Sequence, residues 1–248
     1  MSIDFAPCFR SRCWRAGRHG SLAAGEQAVP DLQPLHRLRF DVYCSECGYL
    51  DAADHPQGCE HDAHDADAAH FGACNLQGEL VGLARLVFSG SQDEPYPFEQ
   101  HGAALHPGVR LLRGGHAAEV SRLMVRRDYR RRRGDTLAGV TDERSAGPMP
   151  HERRQGSAQI VLSLYRQMFQ YSRRAGIHTW YAAMEGFLPL SLERFGFSFE
   201  CIGSERDYFG PVATYRQDLH ELEQTLPLRN PALMHWLLLP DGAREAAP

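Results

Sequence analysis

With 248 residues, 43% of them hydrophobic and 10% aromatic, the chain has the material for one large domain or two small ones with a real core. A net charge of -4 leaves no global field to favour nucleic acid or a membrane surface. No apolar run is long enough to span a bilayer, and Met1-Ser2-Ile3-Asp4 leads into no signal-peptide core. The seven cysteines are odd in number and irregularly spaced, which suits reduced thiols in a cytoplasmic protein better than a disulfide framework. Lysine is absent: all 27 basic residues are arginine.

In chain order, residues 1–31 are rich in Arg, Gly, Ala and Ser and read as a poorly ordered arm, with Ile3–Phe5 open to a short edge strand. A helix is expected from about Leu32 to Cys47, with Leu35, Leu38, Val42 and Tyr43 at helical spacing and Gly48 as its stop. Residues 51–68 form an acidic loop. A hairpin follows, His70–Cys74 and Leu80–Phe88 around a turn at Asn75–Gly78. Residues 89–115 are loop-rich. Next comes Glu119-Val120-Ser121-Arg122-Leu123-Met124-Val125, whose aliphatic residues predict a buried strand, and then Arg126, Arg127, Arg130, Arg131, Arg132 and Arg133, offset only by Asp128. Residues 134–156 read as a mobile insertion. The helix expected at Ser157–Arg174 carries Ile160, Leu164, Met168 and Tyr171 on one face, and Gly176 caps it. A strand at His178–Met184, a short helix at Leu188–Arg194, strands at Phe197–Ile202 and Val212–Arg216, and two helices around Pro231 complete a single domain over 32–240, with a tail at 241–248. The order predicts an α/β fold: a mixed, largely antiparallel twisted sheet flanked by helices, with one strand–helix–strand crossover.

The charges have two readings at this level. Glu119 and Arg122 form a structural ion pair, or Glu119 is a carboxylate at a site whose cationic turn receives an anionic ligand. Arg39 with Asp62 and Asp65 is a loop-ordering salt-bridge network, or a grip on both ends of a zwitterion; the two can hold together. Cys44-x-x-Cys47, Cys59, His61 and His64 are zinc-type ligands without a second pair at finger spacing. The arginine run has only Tyr129 as an interleaved aromatic, which argues against a nucleic-acid groove.

Several motifs in one order resemble a known family. Leu192-Glu193-Arg194-Phe195-Gly196-Phe197 is similar to the helix-ending signature of the GCN5-related N-acetyltransferase (GNAT) superfamily. Arg39, Tyr43 and Tyr49, the pair Asp62 and Asp65, Arg85-Leu86, Phe98, and Glu119-Val120-Ser121-Arg122 resemble the acyl-homoserine-lactone (autoinducer) synthases. Val42-Tyr43-Cys44, Trp180-Tyr181-Ala182-Ala183-Met184-Glu185 and Tyr208-Phe209-Gly210-Pro211 resemble the PEP-CTERM/exosortase-associated acyltransferases, relatives of the long-chain N-acyl amino acid synthases. The likeness runs over roughly residues 32–240.

This resemblance implies a GNAT-like fold and transfer of a fatty acyl group from a thioester to an amine. It implies Glu119 as the base that takes the amine proton, with Ser121 and Arg122 beside it. Backbone N–H groups of a bulged Glu119–Val125 strand would hold the oxyanion. Arg39, Asp62, Asp65, Arg85 and Tyr49 would bind an amino-acid-type acceptor, and Phe98, Trp180 and Tyr43 would line the acyl pocket. No tightly bound cofactor or metal is implied. The donor is acyl carrier protein, docked on Arg126, Arg127, Arg130, Arg131, Arg132 and Arg133, or acyl-coenzyme A. Asp135 stands in the turn where coenzyme A would place its pyrophosphate, which favours the carrier protein. Tyr49 replaces the tryptophan of the lactone synthases, which favours an N-acyl amino acid as product.

Overall fold

The computed structural model describes residues 9–15, 31–91, 94–130 and 151–239, with the side chains of residues 10, 15 and 151–157 outside the description. Strand Arg10–Arg15 (β1) is followed by helix Gln33–Phe40 (α1), which runs on as a π-helical turn over Asp41–Glu46 in which the Cys47 N–H reaches the Val42 carbonyl. Strands Ala68–Cys74 (β2) and Leu80–Phe88 (β3) form the expected hairpin. Its turn is closed by Asn75, whose side chain accepts from the Glu79 N–H, and by Gly78 at φ +87°. Then come the short helix Pro97–Gln100 (α2), strand Ala104–Leu105 (β4), strand Ala117–Val125 (β5) and the long helix His151–Ala175 (α3). Strand Thr179–Glu185 (β6) and helix Phe187–Glu193 (α4) follow, then the short strands Glu200–Cys201 (β7), Gly203–Ser204 (β8) and Arg206–Asp207 (β9). Strand Pro211–Asp218 (β10) and helices Leu219–Arg229 (α5) and Pro231–Leu238 (α6) end the described chain.

Among the described residues eight strands make one sheet in the order β1-β2-β3-β5-β6-β10-β7, with β9 also on β10. Every pairing within it is antiparallel except β5 with β6, which is the expected crossover. β1 corrects the reading of residues 1–31 as an arm, because six of them are an edge strand. The Trp14 ring lies over Gly72, where any side chain would collide with it, and one aromatic among arginines carries no strand period to read. Ile3–Phe5 and residues 131–150 lie outside the described residues. α3 begins at His151, ahead of the expected Ser157, with Gly156 tolerated inside it.

One face of the sheet is covered by α3, which buries Ile160, Val161, Leu164, Tyr165, Met168 and Phe169 against β2, β3, β5 and β6. At Gly82 a Cβ would run into the Ile160 side chain, so glycine lets helix and strand close up. On the other face α1 packs Leu35, Leu38 and Val42 against Leu83 and Met124. Among the described residues no helix is long and apolar enough to cross a membrane.

Candidate active site

β5 and β6 stay paired only through Ala117–Thr179, Ala118–Trp180 and Glu119–Tyr181. β5 then bulges. Leu83 faces Met124 and Arg85 faces Ser121, so Arg122 and Leu123 together oppose Ala84. Arg122 takes φ +53°, a left-handed conformation that few non-glycine residues occupy. The two strands part beyond Glu119, and a cavity of about 230 Å³ opens between them. Its walls come from both sides of the sheet. Tyr43, Tyr49, Asp62, Phe98 and Phe209 stand at one end, and Tyr165, Phe187 and Leu188 stand towards the helices at the other. The slot therefore passes through the sheet, polar and aromatic at one mouth and apolar beyond.

Glu119 lies on the wall of this slot, 4% exposed, and one carboxyl oxygen accepts the Phe98 backbone N–H at 2.9 Å. Burial pushes its carboxyl up to about 8 against the pull of the Phe98 N–H and of Arg85 and Arg122. The ion-pair reading of Glu119 with Arg122 does not hold. Arg122 turns instead to Asp62 at 2.8 Å and Glu60 at 3.2 Å, with its guanidinium 5.0 Å from the Tyr43 ring centre. With no ion pair to it among the described residues, the carboxyl titrates near the range of an amine.

Behind the polar mouth three guanidiniums interlock with three carboxylates. Arg39 donates to Glu60 and, at 2.6 Å, to Asp65; Arg85 reaches Asp62 and Asp65 at 2.6 Å each and the Ser121 hydroxyl at 3.0 Å. Asp62 also caps the turn that follows it, accepting from the His64 N–H, while Asp65 accepts the Asp62 N–H. Burial opposes the charge on Glu60, Asp62 and Asp65, but the guanidiniums outweigh it and hold all three below their ordinary range. His70, wholly buried beside Asp65, is pushed down to about 4 by burial and stays neutral.

Arg39 is 0% exposed and neither it nor Asp65 lines the slot, so the expectation that both touch the acceptor is corrected: they brace the wall. Asp62, Arg85, Ser121, Arg122 and Tyr49 do line it. Among the described residues Arg85 Nη2 is buried with no hydrogen-bond partner, and Arg85 lines the slot. Tyr49 stacks on Phe209 at 4.9 Å, and Phe209 is itself held at φ +54° in the turn before β10.

Of the acyl-pocket residues, Phe98 and Tyr43 line the cavity and Trp180 does not. Trp180 sits in the paired part of β6, opposite Ala118, where alternation turns it under α3, and its indole N–H donates to Ser172 at 2.9 Å. Trp180→Phe should cost about 1–3 kcal/mol of stability by leaving Ser172 and the ring volume unmatched. Chemical denaturation and the acyl-chain profile, measured together, check this: a changed profile at unchanged stability would return Trp180 to the pocket.

The docking arginines divide. Arg130 is tied to Glu46 and nearly buried, so it is not a free surface charge, whereas Arg127 is exposed and Arg126 lies beside Asp128 and Glu79. Arg131, Arg132 and Arg133 lie outside the described residues. Cys44 is buried and Cys47 half-buried in the helix, and among the described residues no group of three or more His, Cys, Asp or Glu is placed to hold a metal ion.

Residues 38–139 match the family model of the acetyltransferase (GNAT) domain. That match spans 102 of the 248 residues, from within the first helix to just past β5. By that match the chain is an acyltransferase. Comparison with curated proteins gives no match. Among solved structures the chain is similar in fold to TofI in a ternary complex with an inhibitor and MTA, at TM-score 0.59 and 16% identity over 90% of this chain and 99% of that one. It is similar to BjaI, a CoA-dependent acyl-homoserine lactone synthase with SAM and isopentyl-CoA, at TM-score 0.58 and 20% identity over 82% of this chain and 81% of that one. The AHL synthase LasI gives 0.51 and 18% identity over 76% and 82%.

Sequence reasoning missed Glu60, which completes the buried charge network, and Tyr165, Glu185, His101, Tyr208 and Phe209, which line the slot. Glu60 looked like any acid of its loop. Tyr165 carried the period of a core helix. Tyr208-Phe209 had a signal in the Tyr-Phe-Gly-Pro phrase, but nothing in the sequence says that this turn folds over Tyr49.

Proposed function

We propose that the chain moves a fatty acyl group from an acyl-carrier-protein thioester to the amine of an amino acid or an amino-acid-derived acceptor. The observation that carries this reading is the slot through the sheet, with one carboxyl on its wall in no ion pair among the described residues, a charged mouth and an apolar far side. The acyl chain threads the apolar part, which puts the thioester carbonyl at the bulge. There strand N–H groups freed from the ladder face the developing oxyanion. Arg85 Nη2 supplies the acceptor's carboxylate with an open donor, and Tyr49 and Phe209 cover its body. The amine nitrogen attacks the carbonyl carbon, the C–S bond breaks, and the thiolate leaves and takes up a proton. Glu119, directly or through one water, removes the proton from the attacking nitrogen.

A second reading is an acyl-lactone product, favoured by the fold likeness to BjaI and LasI. Mass spectrometry of lipids from an expressing host separates the two. A new N-acyl amino acid supports the first reading and a new acyl lactone replaces it with the second. The sequence likeness to PEP-CTERM/exosortase-associated acyltransferases points towards the first.

For the donor, Arg126 and Arg127 form the described part of a cationic surface at the end of β5, suited to an acidic carrier protein. Arg127→Glu should slow turnover with acyl carrier protein several-fold at low salt and much less at high salt, since a ~10 Å Debye length at 0.1 M already screens such steering. Turnover with acyl-coenzyme A should not change. A better rate with acyl-coenzyme A, or no effect of the reversal, rejects carrier docking.

A further inference from the structure

Tyr165, in the middle of α3, is 0% exposed and lines the slot, yet among the described residues its hydroxyl has no hydrogen-bond partner. Leaving such a group unpaired forfeits its hydration without return, so a buried hydroxyl with no partner is uncommon. Its ring neighbours cannot accept a bond: Phe197 lies at 5.0 Å, Trp180 at 5.9 Å and Phe199 at 6.4 Å between ring centres. The Trp180 N–H, the nearest polar group among them, is already given to Ser172. Burial pushes the phenol well above its ordinary range, so it stays protonated and able to donate. Tyr165 also belongs to the cluster that α3 builds on one face of the sheet, while Arg39, Glu60 and Asp65 lie with α1 and the acidic loop, away from it. In a slot threaded from the charged mouth, Tyr165 is met by the part of the ligand that has already passed the sheet.

We propose that the Tyr165 hydroxyl is a hydrogen-bonding subsite for the acyl chain, and that the preferred donor carries an oxygen, as a hydroxyl or keto group, beyond its thioester carbonyl. This rests on the acyl-transfer reading and adds the class of donor. An oxygen on the chain gives the hydroxyl its missing acceptor, whereas a saturated chain leaves it unpaired. A site built to bond a polar group rejects the analogue lacking it far more strongly than an apolar pocket rejects an extra methylene.

The test uses the full-length protein and Tyr165→Phe, which removes the hydroxyl and keeps the ring. Both are assayed with acyl-carrier-protein donors of one chain length: saturated, 3-oxo, and hydroxylated at successive positions. The wild type should favour one oxygenated donor over the saturated one by roughly 10-fold or more in kcat/KM, the scale of one buried hydrogen bond. Tyr165→Phe should lose that ratio, keep or raise its rate on the saturated donor, and melt no lower than wild type. Equal wild-type rates on saturated and oxygenated donors, a ratio that survives in the variant, or an equal loss on every donor would each overturn the subsite while acyl transfer stands. No transfer from any donor would fail the acyl-transfer reading instead. Titration of the matching free acids would then still read the subsite, equal affinity for saturated and oxygenated acids overturning it.

Discussion

Glu119→Gln should lower acyl transfer by roughly 10²–10⁴-fold in a protein that remains folded. The amide keeps the side-chain volume and an oxygen to accept the Phe98 N–H, so the strand and its neighbour stay in place. What disappears is a group that can take a proton. Because burial holds this carboxyl up to about 8, the wild-type rate should climb as pH rises towards 8 and then level, and the variant should lack that limb. Stability moves the opposite way. The folded-state value lies above the ordinary one, so the folded protein keeps a proton that the unfolded chain gives up. This contribution is fully present at pH below the ordinary 4.5 and is lost as pH rises towards about 8. Glu119→Gln, which cannot ionise, should therefore melt higher than wild type at pH 8 and show little difference near pH 4. Pairing the rate profile with melting at two pH values checks both signs. A folded Glu119→Gln enzyme with near-normal turnover rejects the assignment.

Arg39→Met should be the most destabilising single change at the site. Arg39 is fully buried and bonds Glu60 and Asp65, so its removal leaves two buried carboxylates short of a cation, a change that costs about 3–5 kcal/mol where it has been measured. In a domain of this size that is a melting shift of roughly 6–20 °C. The acid side tells the same story. Glu60, Asp62 and Asp65 are held below their ordinary range, so they stabilise the fold above pH about 4 and lose that contribution as pH falls. The acid limb of the wild-type stability curve should be shallower in Arg39→Met. Asp62→Asn, at the slot itself, should instead raise the KM for the acceptor. If Arg39→Met melts within about 3 °C of wild type, Arg85 and Arg122 alone satisfy the three acids and the bracing role fails.

Much of the architecture was legible because its signals are local. The apolar period of Ile160, Leu164 and Met168 marks α3, and Asn75 to Gly78 marks the β2–β3 turn. The run Val120 to Val125 marks a strand, since β-branched and aliphatic residues in that density favour an extended, buried backbone. Residue types also disclosed the charges: a glutamate in a core strand, aspartates three apart and arginines at fixed places. Local signals thus disclosed most of the elements and several of the core's ionisable groups, though not β1 or Glu60.

Which of those groups pair is settled by packing in three dimensions. Arg122 was as close in sequence to Glu119 as any cation, yet the bulge and its left-handed backbone turn it to Glu60 and Asp62, some sixty residues back. Three guanidiniums among several acids can pair in many ways, and burial geometry selects one. Trp180 had the composition of a pocket wall, but the register of β6 on β5 turns it under α3. The slot has no local signature at all, because it exists where two strands stop pairing. Tyr165 shares the helical period of its core neighbours, and what sets it apart is that no group among the described residues hydrogen-bonds its hydroxyl. Periodicity is a property of neighbours along the chain, whereas satisfaction of a buried charge or hydroxyl is a property of whatever folding brings to it.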